Sequence, residues 1–242
     1  MALDRELIVE TAFAVLNETG LDGLTLRRLA AALKVKAPAI YWHFRDKREL
    51  LDEMGTELFR RAARRAEAQC AQPDWQSWAA SLFITLRHTL LDFRDGAKMF
   101  SGTYLTDDTL FATQEANLRR MIDVGFTLRQ AVVGVGVLYS YTVGFVIEEQ
   151  ATQSAPGQPD SHYDLKAREE RVGKDRFPLA AAAGAEMFAR YDERFQEGLE
   201  VVIAGLALQL ADPGSTANPA RRNRGISSGK TDSQKARLTN RA

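Results

Sequence analysis

Residues 25–47, TLRRLAAALKVKAPAIYWHFRDK, impose a sharp corner between two short helices, and the surrounding chain must fold to support it. Thr25 suits the N-cap of a helix over 26–33, because its hydroxyl can accept from a backbone N–H of the first turn. The link 34–36 is long enough only to turn. Pro38 fits the first turn of a second helix, over 37–44, where its missing N–H costs nothing. Leu29, Leu33, Val35, Ile40 and Phe44 then face one way and form a small core.

A helix over 3–17 precedes the corner, with Ile8, Ala12, Val15 and Leu16 at helical spacing and Gly20 as its stop. Beyond the corner, residues 47–69 form one long amphipathic helix, which Pro73 breaks. Further helices are predicted over 75–92, 96–100, 107–124, 128–150, 178–190 and 191–210. No segment alternates with period two, so no sheet is expected. The predicted fold is all-α: an N-terminal three-helix helix-turn-helix head over 1–47 and a larger helical domain over 48–210. Residues 153–176 are polar, with Pro156, Gly157 and Pro159, and read as a mobile loop with room for a helical turn. The tail 211–242 carries seven cations, two acids and almost no large apolar residue, so it is expected to stay disordered.

Charge decides little globally. Lys and Arg total 32, as do Asp and Glu, so any role with nucleic acid must rest on local charge. The single cysteine, Cys70, excludes an internal disulfide and favours the cytoplasm. The N-terminus has no basic region followed by an apolar core, so no secretory signal is read there. The apolar run 131–147 falls short of the roughly 20 residues of a membrane span and is read as a buried helix, with no membrane partner.

Within the corner, the residue types suit a DNA groove. Ala37 and Ala39 let the second helix approach base edges, where their methyls can touch a thymine methyl but cannot exchange hydrogen bonds. Arg27, Lys36, Tyr41, His43 and Lys47 can reach phosphates and set register, with Pro38 and Trp42 completing the surface. Each residue has a plainer role as solvated charge or packing. Their conjunction at helix-turn-helix spacing carries the functional reading. Nothing else points to chemistry. His43, His88 and His162 lack metal-ligand spacing, and adjacent Glu148 and Glu149 point about 100° apart on a helix. No enzyme, metal site or cofactor is expected.

The stretch GLDGLTLRRLAAALKVKAPAIYWHFRDKRELLDEM resembles the N-terminal domain of the TetR family of one-component repressors. FRDGAKMFSGT over 93–103, Gly125-Phe126, TVGFVIEEQ over 142–150 and GLEVVIAGL over 198–206 resemble the ligand-binding domain of the tetracycline repressors. The resemblance covers about residues 3–206. It implies a homodimer whose two heads lie in successive major grooves of a palindromic operator in double-stranded DNA, released by a small-molecule effector. It also implies that the helix from Lys47 is the lever between head and body, and that residues 96–103 are the trigger.

The same resemblance identifies candidate ligand residues. Where the tetracycline repressors carry a histidine on the linker helix, an asparagine and a phenylalanine on the next, and a histidine near the trigger, this chain has Ala63, Leu82, Leu86 and Phe100. Thr103 and Glu148 match the subfamily, and Asn117 replaces a glutamine. An apolar wall of Leu82, Leu86 and Phe100 favours a flat aromatic or polyketide-like effector over a magnesium–tetracycline complex. Leu82 and Leu86 read equally well as core, and Glu148 as a solvated helix end, which leaves a constitutive DNA-binding protein as an alternative. Gly134, Gly136 and Gly144, together with Leu199, Val202, Ile203 and Leu206, are expected in a dimeric four-helix bundle that Val202→Glu would weaken.

Overall fold

The computed structural model describes residues 3–69, 72, 74–160 and 163–211. Cys70, His162 and the basic tail from residue 212 onward lie outside the described residues. The chain is helical in the order α1 (Arg5–Gly23), α2 (Leu26–Ala32), α3 (Ala37–Tyr41), α4 (Lys47–Gln69), α5 (Trp75–Leu91), α6 (Gly96–Phe100), α7 (Thr109–Asp123) and α8 (Leu128–Ala151). A short hairpin of β1 (Gln153–Ala155) and β2 (Gln158–Pro159) follows, then α9 (Leu165–Val172), α10 (Pro178–Phe188) and α11 (Tyr191–Ala211). The N-terminal helices precede a larger C-terminal helical bundle, and the short hairpin holds the only strands among the described residues, so the all-α reading holds.

Local chemistry sets the helix ends. Asp4 caps α1 by accepting from Leu7 N at 2.8 Å. Gly20 has φ +69°, so α1 breaks there and only one further turn runs on to Gly23. Thr25 caps α2 as expected, accepting from Arg28 N at 3.1 Å. The corner after α2 is a Schellman turn: Val35 N donates to Ala30 O at 3.0 Å and Lys34 N to Ala31 O at 3.1 Å. Lys34 occupies its left-handed position at φ +56°, where a side chain is strained. Lys34→Gly is therefore expected to stabilise the protein by about 0.5–1 kcal/mol, read as a higher denaturant midpoint at unchanged slope. No gain would mean that the lysine head makes a compensating contact. Helix α3 stops at Tyr41 rather than running to residue 44, because His43 N and Phe44 N share the Ile40 carbonyl, each at 2.9 Å, and tighten the last turn.

Two segments depart from the reading of the sequence. Residues 153–159, expected as loop, pair as a hairpin in which Pro156 and Gly157 make the turn, with Gly157 at φ +71°. Residues 165–172 form a full eight-residue helix, opened by Asp164, whose carboxylate accepts from Lys166 N at 2.7 Å and Ala167 N at 3.1 Å. Their length and polarity hid both, since neither buries an apolar stripe. The apolar run 131–147 also sits inside a 24-residue helix, long enough and apolar enough to cross a membrane. Here α8 is a core helix: Ala131, Gly134, Leu138, Thr142, Val143 and Val146 are buried along one side.

Two hydrophobic clusters organise the molecule. One begins in the head with Ile8, Phe13, Leu29, Ile40 and Phe44 and continues without a break into Leu58, Leu90, Met99, Phe100 and Val146 of the body. The other holds Trp75, Trp78, Phe83, Met121, Leu138, Phe195 and Ile203. Leu86 borders both.

Candidate nucleic-acid interface and ligand site

Ile40 and Phe44 are fully buried, which fixes the rotation of α3 and turns its other side outward. Tyr41 is 54% exposed and Trp42 89%. Two large aromatics thus stand side by side in water on this face. Arg27, Lys36 and Pro38 are exposed with them, while Ala37, Ala39 and His43 are half-buried. Lys47 differs from the other phosphate candidates: its Nζ donates to Leu21 O at 2.8 Å, so in this state it braces the head internally. The start of α2 adds an open depression of about 640 Å³ lined by Thr25, Arg27 and Arg28, of which the sequence had suggested only Arg27.

Arg5 is a second residue the sequence did not single out. Its guanidinium donates to the His43 carbonyl, pairs with Glu49 at 3.3 Å and Glu53 at 3.2 Å, and lies 4.1 Å over the Phe44 ring. It thereby ties α1 to the end of α3 and the start of α4. The Arg45 backbone N–H and side chain hold the Glu49 carboxyl down to about 2, so it stays charged at this junction.

One seam joins head to body, and a second holds the segment after α6 to α4. At the first, Arg94 N donates to Asn17 Oδ1 at 2.8 Å and Leu21 N to Asp95 Oδ2 at 2.9 Å. At the second, residues 102–107 lie along α4. Arg48 donates to Gly102 O at 3.2 Å, Asp52 accepts from Tyr104 N at 2.8 Å, Thr56 accepts from Thr106 N at 2.9 Å, and Arg60 donates to Asp107 at 2.6 Å. Positions 48, 52, 56 and 60 repeat every helical turn, about 6 Å apart. That rise matches two residues of extended chain.

Three of the candidate ligand residues, Leu82, Leu86 and Phe100, belong to or border the two cores. Phe100 is 5% exposed in the first cluster, and Leu86 packs against it while also bordering the second, where Leu82 lies. Ala63 and Asn117 are half-buried on α4 and α7. The Thr103 hydroxyl donates to Phe100 O at 2.8 Å and packs against Gly55, where any Cβ would fall 2.4 Å from the hydroxyl oxygen. Glu148 stands apart, exposed on α8, while its neighbour Glu149 is buried. Tyr139, which the sequence did not single out, has its ring 6.3 Å from Phe100 and is 38% exposed; partial burial pushes its hydroxyl pKa up.

The interior of the body holds an ion pair that the sequence did not reveal. Arg87, 2% exposed, grips Glu149 through Nε at 3.0 Å and Nη2 at 2.8 Å, and reaches Asp192 at 2.7 Å. Its guanidinium lies 5.1 Å from the Phe195 ring. Burial works against the charge, but the Glu149 and Asp192 bonds outweigh it and raise the Arg87 pKa. This pair clamps α5, α8 and α11 together.

The outward faces of α8 and α11 form a third surface. Val132, Val133 and Val137 on α8 are each 45–49% exposed, and Val201 and Leu208 on α11 are 73% and 70% exposed. A Cβ on Gly136, Gly144 or Gly205 would meet nothing within 4 Å, so those glycines also face outward. Leu199, Ile203 and Leu206 do not belong to this face. They are buried in the chain's own core, with Val202 packed against them. Gly134 and Gly198 serve internal packing as well, against Leu206 and Tyr141.

Residues 8–54 match bacterial regulatory proteins of the tetR family, and residues 69–210 match the tetracyclin repressor-like C-terminal domain. The chain is 35% identical over 213 residues to tetracycline repressor protein class D of Escherichia coli, covering 86% of this chain and 91% of that one. A possible TetR family transcriptional regulator from Streptomyces coelicolor A3(2) matches with a TM-score of 0.74 at 33% identity, over 85% of this chain and 99% of the other. The Streptomyces coelicolor TetR family protein ActR, solved in complex with (S)-DNPA, matches with a TM-score of 0.68 at 25% identity, over 86% and 99%.

Proposed function

Because the chain belongs to the TetR family, tetracycline-repressor-like in its C-terminal domain, and is a ligand-responsive transcriptional repressor rather than an enzyme, we propose that it binds a palindromic operator as a homodimer and is released by a flat, aromatic or polyketide-like effector. Residues 1–47 supply the DNA-binding head and 48–210 the effector-binding and dimerising body, acting in the cytoplasm. Arg27, Lys36 and Tyr41 meet phosphates, and Ala37, Pro38, Ala39 and Trp42 meet the groove, with His43 and Lys47 at its edge. The outward apolar faces of α8 and α11 pair with those of a second copy.

One observation supports the effector class. Leu82, Leu86 and Phe100 are apolar side chains in or against the two cores, with the ring of Tyr139 6.3 Å from that of Phe100. Phe100 offers no metal ligand, the Thr103 hydroxyl is donated to a backbone carbonyl, and Glu148 is exposed. A magnesium-bound ligand needs hard oxygen donors converging on one point. The relatives do not decide the matter: one is named for tetracycline and another was solved with (S)-DNPA.

The test has two steps. A footprint on DNA flanking the gene should show a protected palindrome. Calorimetry should then show no binding of magnesium–tetracycline at micromolar concentration, whereas planar aromatic polyketides should release the footprint. Micromolar or tighter magnesium–tetracycline binding would overturn the effector class. A footprint that no compound releases would favour the constitutive reading.

A further inference from the structure

The last turn of α8 carries three consecutive polar residues, 148–150, with three different surroundings. Glu148 is exposed and Glu149 is clamped by Arg87. Gln150 is 8% exposed, and both ends of its amide are used. Oε1 accepts from Ala97 N at 3.1 Å, and Nε2 donates to Leu90 O at 3.1 Å and Phe93 O at 2.8 Å. Those backbone groups lie at the end of α5 and the start of α6, where helices leave groups without internal partners. One side chain thus fastens α8 to the turn between α5 and α6.

That turn is also the one that holds the head. Arg94 N bonds Asn17, and Asp95 accepts from Leu21 N, with Asp95 itself fixed at φ +54°. Leu21 O in turn takes the Lys47 ammonium. Two hydrogen-bonded steps therefore separate α8 from the break in α1. A buried amide that loses a partner leaves desolvated groups unpaired, so the turn follows the end of α8 rather than parting from it.

We infer that Gln150 is a positioning residue that couples α8 to the DNA-binding head through the α5–α6 turn, by a route that bypasses α4. Its consequence for DNA release rests on the repressor reading above. The coupling itself does not, and can be measured without DNA or effector.

The experiment is amide hydrogen exchange on the full chain, read at Ala97, Leu21 and, as reference, Ile203 in α11. Gln150→Met keeps the length of the side chain and removes all three bonds. Exchange at Ala97 and at Leu21 should accelerate at least tenfold, with Ile203 unchanged. Faster exchange at Ala97 with Leu21 at its original rate would overturn the inference. In an Asp95→Ala background, Leu21 has already lost its acceptor, so Gln150→Met should add nothing there; an additive effect would mean general loosening and would also overturn it. If Gln150→Met does not fold, Asn17→Ala tests the same route from the head, since coupling is reciprocal. Ala97 should then exchange faster, and an unchanged rate would refute the route. A failed footprint would remove the repressor reading and leave these exchange results standing.

Discussion

Glu149→Ala should lower the unfolding free energy by about 3–5 kcal/mol, the largest loss expected from a single substitution in this chain. Glu149 is 5% exposed and Arg87 2%, so removing the carboxylate leaves a guanidinium in the core with most of its compensation gone. Asp192 remains, but on an exposed side chain at the start of α11, in a weaker, water-screened environment. The Phe195 ring, 5.1 Å from the guanidinium, cannot make up the difference. The control is the double change Arg87→Met with Glu149→Leu. It removes both charges at similar volume and should recover most of the stability, because a buried pair does little better than well-packed apolar groups. Urea denaturation monitored by tryptophan fluorescence separates the cases. A loss below about 1 kcal/mol for Glu149→Ala would show that water reaches the pair.

Val201→Glu combined with Leu208→Glu should convert the protein to a monomer and weaken binding to a palindromic operator by about 10²-fold or more. Both side chains are more than two-thirds exposed on α11, on the side away from its own core. Placing carboxylates there does not touch internal packing, so the fold should survive while an apolar interface between copies does not. Each head alone then binds a half-site without the second head held nearby. Light scattering and a duplex titration read the two effects separately. A dimer that persists would place the interface elsewhere. The position suggested by sequence, Val202, is a poorer choice: it is half-buried against Leu199 and Ile203, and a glutamate there would damage the monomer first.

That contrast shows what the sequence could and could not reveal. Helical periodicity located the elements, and the Thr25 cap, the Pro38 start and the Gly20 stop lie where elementary propensities put them. Periodicity alone does not say which side of a doubly apolar helix faces its own core. On α11, Val201 and Val202 are adjacent, and only packing against α5 and α8 separates them. Arg87 was legible in principle. It continues the buried row Trp75, Ala79 and Phe83 at four-residue spacing, so a charge there needed a buried partner. The partner, 62 residues away, could not be read from local pattern, and Glu148 was the carboxylate that drew attention instead. Phe100, Leu82 and Leu86 came from resemblance. Tyr139 did not, because one tyrosine in an apolar helix carries no local signal of what it faces.

The unbroken core from head to body has a consequence for inheritance. The Phe13 ring of α1 packs tilted against Phe93 with centroids 4.4 Å apart, and Leu29 and Ile40 share a cluster with Leu90, Phe100 and Val146. A regulator built this way is not a pair of exchangeable cassettes. Moving its head onto another body at the corner before α4 would carry over the exposed side of α3 but strand Phe13, Asn17 and Leu21, whose partners lie beyond residue 90. With the outer face of α3 reading the operator, as proposed above, changing residues on that face should alter operator preference at less cost to the fold than trading whole heads.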